Sequence, residues 1–177
     1  DFFYPTKNKY TTQYDNETFH FIDYSYSINQ SDLKENQTSI KDSTDVNHSD
    51  SSDSEKGVFN FITFLELIKN KNPSEIDTKW FPYETNNTIG EARVIWADSS
   101  NVYSNKDSVL CNRYRLDIIM PETAITKDID YLNKILSSDE NVKEIWVSIK
   151  SPEIYQIKIK NDLISLDVKI NKQDIAE

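Results

Sequence analysis

The chain has 177 residues, with 30 acidic against 20 basic and a formal net charge of −10. An acidic balance of this size argues against holding nucleic acid or an anionic membrane surface by overall field, and it suits solubility or a basic partner. Only two glycines occur, Gly57 and Gly90, which argues against glycine-built phosphate loops and nucleotide-binding turns.

The chain opens on Asp1 rather than Met and reads as a processed or trimmed start. Nine aromatics crowd the first 26 residues. "TTQYDNETFHFIDYSYSI" predicts a hairpin turning at Asp15-Asn16-Glu17, with Ile22, Tyr24, Tyr26 and Ile28 on one face. From Asn29 to Lys56 apolar periodicity disappears, and a flexible acidic loop is expected, too polar to offset its ordering entropy.

"GVFNFITFLELIKNKNP" predicts a helix ended by Asn72-Pro73, with Val58, Phe61, Ile62, Phe64, Leu65 and Ile68 toward the core and Asn60, Thr63 and Glu66 as a polar stripe. "WFPYE" shows neither strand nor helix periodicity. "EARVIWAD" predicts a strand, followed by a polar loop around Ser99 to Asp107. "SVLCNRYRLDIIMP" predicts a longer strand, with Tyr114, Leu116, Ile118 and Met120 opposite Arg113, Arg115 and Asp117. A helix to about Ser137 follows Pro121. "VKEIWVSIK", "EIYQIKIK" and "LISLDVKI" then predict an antiparallel meander, with Ile145, Val147 and Ile149 on the same face as Tyr155, Ile157 and Ile159.

The order is β-β-(acidic loop)-α-β-β-α-β-β-β. It predicts one α+β domain over 1–177: an aromatic hairpin (1–28), the acidic loop (29–56) and a main body (57–170). The body is expected to be a mostly antiparallel sheet, about five to seven strands in all, with two helices on one face. No apolar run is long enough to span a membrane.

No motif calls for a metal or a cofactor. A calcium loop from Asp45 would use Asp45, Asn47, Ser49 and Asp53, but the turn glycine is replaced by Asp50 and the bidentate Glu by Lys56. The only histidines are His20 and His48, and neither comes with a readable triad. Cys111, the single cysteine, rules out an intrachain disulfide, leans toward a reducing, cytoplasmic setting and reads as an incidental small residue. Trp96 and Trp146 read as structural. Arg93, Arg113 and Arg115 are candidates for anion recognition, weighed against simple ion pairing on a sheet face. Trp80, Phe81, Tyr83 and Glu84 form a candidate contact strip, weighed against a role closing the core.

The reading that results is a non-enzymatic binding protein, of inhibitor or immunity type, whose acidic, aromatic-rich surface occupies a basic protein. Asp42, Asp45, Asp50, Asp53 and Glu55, together with the Trp80 to Glu84 strip, are its expected contacts. Two alternatives stand beside it. One is an extracytoplasmic surface or structural protein, which the processed start and five glycosylation sequons suit. The other is an enzyme or binder acting on a small anion through Arg113, Arg115 and a carboxylate.

Overall fold

The computed structural model describes residues 9–30, 33–40, 57–85, 88–104, 107–121, 131–161 and 165–169. The chain is α+β, as its alternating and helical periods require. Strands β1 (Lys9–Tyr14), β2 (Phe21–Gln30) and β3 (Leu33–Ile40) make a small antiparallel sheet in that order. The hairpin turns where expected. One Asp15 side-chain oxygen accepts from the Glu17 and Thr18 backbone N–H groups at 3.0 and 2.8 Å, and from the Thr18 hydroxyl. Strand β3 corrects the expected boundary of the acidic loop, because Asn29 to Ile40 is largely sheet. "LKENQTSI" lacks apolar alternation, and its pairing with β2, from Asp23↔Ile40 to Gln30↔Leu33, is set through the backbone ladder.

The main sheet is a six-stranded antiparallel meander. Its strands in order are β4 (Trp80–Thr85), β5 (Thr88–Ser104), β6 (Asp107–Ile119), β7 (Val142–Ser148), β8 (Ile154–Lys160) and β9 (Ser165–Lys169). Two expectations change here. "WFPYE" is an edge strand, and the expected loop at Ser99 to Asp107 is mostly strand, since β5 and β6 pair out to Ser104↔Asp107. Polar side chains hid this extension: in "SSNVYS" only Val102, buried, and Tyr103, exposed, are apolar or aromatic, too few to show an alternation.

Helix α1 (Phe61–Asn70) is capped by a reciprocal pair. Asn60 Oδ1 accepts from the Thr63 backbone N–H at 3.0 Å, and Thr63 Oγ1 accepts from the Asn60 N–H at 3.0 Å. That capping box buries Thr63, which the sequence pattern had put on the solvent stripe. A one-turn helix α2 (Pro73–Ile76), begun by Pro73, was not anticipated. Helix α3 (Tyr131–Ser137) lies within the second expected helix, whose earlier part falls outside the described residues.

The helices cover one face of the main sheet. Phe64, Leu67 and Ile68 of α1, Ile76 of α2, and Ile135 and Leu136 of α3 are buried against Tyr83, Val94, Tyr114, Leu116, Ile118 and Ile145. Residues 57–60 stitch the two sheets together. The Phe21 N–H donates to the Val58 carbonyl, the Phe59 N–H to the Pro82 carbonyl at 3.0 Å, and the Glu84 N–H to the Phe59 carbonyl at 2.8 Å. They also cover the outer edge of β4, which would otherwise be open.

Gly90 marks a close backbone approach. A Cβ there would run into the Ile119 carbonyl oxygen and the Met120 sulfur. Gly90→Ala is therefore expected to lower stability by about 1–3 kcal/mol, read as an earlier denaturant midpoint. An unchanged midpoint would show that the β5–β6 junction gives way freely.

Candidate functional site

The face of the main sheet opposite the helices carries the three arginines, and the strand register brings them together. Arg93 and Arg115 share one acid: Arg93 donates to Asp117 Oδ2 from Nε at 3.1 Å and Nη2 at 3.0 Å, and Arg115 Nε donates to Asp117 Oδ1 at 3.0 Å. Arg113 grips Asp98 through Nε and Nη2 at 3.0 and 2.7 Å and reaches Glu144 through Nη1 at 2.9 Å. The Asp98 hydrogen bonds, ahead of the Glu144 charge, hold the Arg113 guanidinium protonated even beyond its ordinary range. The Arg93 guanidinium also stacks 4.4 Å from the Trp80 ring. Three guanidinium groups and three carboxylates thus form a ladder on an open sheet face, where such pairs contribute modestly to stability.

The other expected contacts fare unequally. Tyr83 and Glu84 are buried, and Phe81 is half-buried in ring contact with Phe59 and Phe64, so the Trp80 to Glu84 strip closes the core and leaves chiefly Trp80 at the surface. Asp42, Asp45, Asp50, Asp53, Glu55 and His48 lie outside the described residues. His20 packs its ring edge-on against Phe59 at 4.7 Å, and burial lowers its pKa against the opposing pull of Asp15.

Cys111 is a small filler of a core. It is fully buried with Val102 and Trp146 in a second, smaller core on the arginine-bearing face, flanked by Val109 and Tyr155. Burial pushes its thiol up to about 11, away from the thiolate a nucleophile needs. Tyr155 reaches this cluster because a bulge opposite Trp146 and Val147 moves it off the face where alternation had placed it beside Ile157. Among the described residues, no group of three or more His, Cys, Asp or Glu side chains is placed to hold a metal ion. No helix among them is long and apolar enough to cross a membrane.

The surface with the strongest contact chemistry is one the sequence did not flag. Beyond the end of the helical layer, the helix-bearing face of β5, β6 and β7 continues with no helix over it among the described residues. Trp96, Tyr103, Leu110 and Ile149 stand there 43%, 69%, 45% and 48% exposed. Register places three of them together: Asn101 faces Leu110, Tyr103 faces Ser108, and the Ile149 N–H donates to the Leu110 carbonyl at 3.1 Å, while Trp96 stands on the same face beyond Asn112.

Trp96 is held in place. A bulge between Trp96 and Asp98 breaks the ladder, and Asp77 Oδ1 accepts the Trp96 backbone N–H at 2.8 Å. The indole N–H donates to Asn112 Oδ1 at 3.2 Å, an oxygen that also accepts from the Ser99 hydroxyl at 3.0 Å. Asp77 itself is anchored beside Thr78, a non-glycine residue at φ 61° whose N–H donates to the Val94 carbonyl at 2.8 Å. The exposed ring is thus fixed by bonds within the chain.

The shelf opens into a groove of about 410 Å³ between the C-terminal end of α1 and the β7–β8 turn. Its floor includes Ile68, Tyr114 and Val147, and Lys69, Lys71 and Lys150 are among its walls. Trp96 read as structural from sequence. The signal that separates it from the buried Trp146 is its polar surroundings, "WADSSN".

Compared with protein-family models, curated proteins and solved structures, the chain matches none.

Proposed function

We propose that this protein is a non-enzymatic binding protein that docks a basic protein partner, with the shelf of Trp96, Tyr103, Leu110 and Ile149 as its anchoring surface. The observation that carries this reading is the shelf. Four large apolar or aromatic side chains stand together at 43% exposure or more on a rigid three-strand platform. Exposed aromatic and apolar side chains on one sheet face supply the few groups that dominate interface energy. Fixing Trp96 through Asp77 and Asn112 lowers the ordering entropy that binding would otherwise require.

The sign of the partner follows from charge. Of the 30 acidic residues, 13 lie outside the described set, against 6 of the 20 basic ones, so the acid excess is concentrated there. It includes Asp42, Asp45, Asp50, Asp53 and Glu55, and it would raise the encounter rate with a cationic protein.

The test is capture from the native source on immobilised full-length chain, at low and high salt, with eluates identified by mass spectrometry. One basic protein retained at low salt, released at high salt and lost with a Tyr103→Ser, Leu110→Ser variant is the expected result. Equal capture by that variant removes the shelf as the contact. Capture of nothing at either salt counts against the whole reading.

A further inference from the structure

We propose that the groove beside the shelf is a second recognition site, and that it takes an acidic peptide segment: carboxylates at Lys71 and Lys150, and a neighbouring apolar side chain on the floor of Ile68, Tyr114 and Val147. The proposal goes beyond the basic partner and concerns a surface of opposite sign.

Charge carries the argument. In a chain with 30 acidic residues against 20 basic, the groove is lined by three lysines and by no aspartate or glutamate. Lys69 is already paired with Glu66 at 2.6 Å, and Lys71 and Lys150 are the other lysines of the lining. Lys71 lies 5.8 Å from the Phe19 ring, an attraction that persists when a carboxylate approaches from the other side.

The carbonyl end of α1 in the wall would oppose an anion, but its last turn is partly satisfied. The Lys71 N–H donates to the Leu67 carbonyl at 3.0 Å, and Asn70 Nδ2 donates to the Glu66 carbonyl at 2.8 Å. The opposite wall is equally set. Ser148 Oγ accepts from the Lys150 and Ser151 N–H groups at 3.2 Å each, so the turn carrying Lys150 is fixed by internal bonds. A volume of about 410 Å³ falls within the range of ligand pockets and accommodates a short stretch of chain. The groove's opening onto the shelf lets that stretch continue as an extended segment. A buried apolar floor under a lysine rim matches an apolar residue flanked by Asp or Glu.

Fluorescence anisotropy with the full-length chain tests this. The probe is a labelled peptide of alternating Glu and Leu, blocked at both ends, compared with the same peptide carrying Gln or Lys in place of Glu. The Glu peptide is expected to bind in a salt-sensitive way, and the Gln peptide at least about tenfold more weakly. Lys150→Glu, at an exposed position, is expected to weaken the Glu peptide by a similar factor, and Lys71→Glu with Lys150→Glu by more, with the unfolding midpoint checked for both. Equal binding of the Gln peptide, preference for the Lys peptide, or undiminished affinity in a folded Lys150→Glu variant would each overturn the proposal. None of these outcomes bears on capture of a basic partner, so the two readings fail separately.

Discussion

Phe64→Ala is expected to lower stability by about 3–5 kcal/mol, a large part of the 5–15 kcal/mol that holds a typical domain folded. The position is fully buried and central to a ring cluster. Phe64 meets Phe59, Phe81 and Tyr83 edge-on at centroid distances of 5.8, 5.7 and 6.3 Å, and Phe59 meets Phe81 at 5.6 Å. These rings come from α1, from the stitch at residues 57–60 and from β4, so one truncation opens a cavity where all three converge. The stitch also ties the small sheet to the main one, and Phe21 and His20 hang on it through Val58 and Phe59. The loss is therefore expected in one cooperative transition, with the small sheet melting no later than the main one. Tyr103→Ser, on the shelf, serves as the control and is expected to stay within about 0.5 kcal/mol. A loss below about 1 kcal/mol for Phe64→Ala, or an unshifted midpoint, would mean that the cluster repacks around the gap.

What could be read from sequence was what period and burial encode together. Tyr114, Leu116 and Ile118 alternate against Arg113, Arg115 and Asp117, and the sheet honours that division because one face is sealed by helices. The same rule failed at the bulges. A single extra residue at Trp96/Asp98 and another irregularity at Trp146/Val147 shift the parity of everything beyond them, which is how Tyr155 left the face of Ile157. No local residue type announces either bulge. The first is fixed by Asp77, far away in sequence, accepting a backbone N–H. Strand β3 escaped notice for a related reason, since its place rests on backbone pairing to β2 and not on side-chain pattern. The arginines were legible as a cluster with Asp117 on their face, but Asp98 and Glu144 were not, because they come from neighbouring strands. The shelf was illegible altogether. It exists because the helical layer stops short of the β5–β6 arm, and where a helix ends above a sheet is a property of packing.

The second large effect is expected on the alkaline side, where two buried groups act with opposite sign. Lys143 is 3% exposed on the helix-covered face, with Nζ donating to the Ser138 carbonyl at 2.7 Å, and burial pulls its pKa down from 10.5 to about 8. Asp117 and Asp139 resist that pull, and Arg115 adds to it. Folding at neutral pH therefore carries the cost of a sequestered ammonium. The unfolded chain holds its proton up to the ordinary value while the folded chain releases it from about 8. The unfolded state thus binds more protons in that window, and stability rises with pH through it. Cys111 works the other way. Its thiol is raised from 9.0 to about 11, so above 9 the unfolded chain ionises first and stability falls. Tyr114, also raised by burial, adds to that fall only above its ordinary value of 10.0. Between pH 8 and 10, then, wild-type stability should climb at first and flatten above 9 as the two groups offset one another. Lys143→Met removes the climb and leaves a decline above 9, and at pH 7 it should stabilise by roughly 1–3 kcal/mol, less whatever the Ser138 bond contributed. Cys111→Ala, which leaves a small cavity, should keep climbing throughout. Denaturant titrations at pH 7, 8, 9 and 10 separate the three curves. A Lys143→Met profile parallel to wild type would show that the amine is hydrated in solution, and a Cys111→Ala profile that flattens at 9 would place the offset elsewhere.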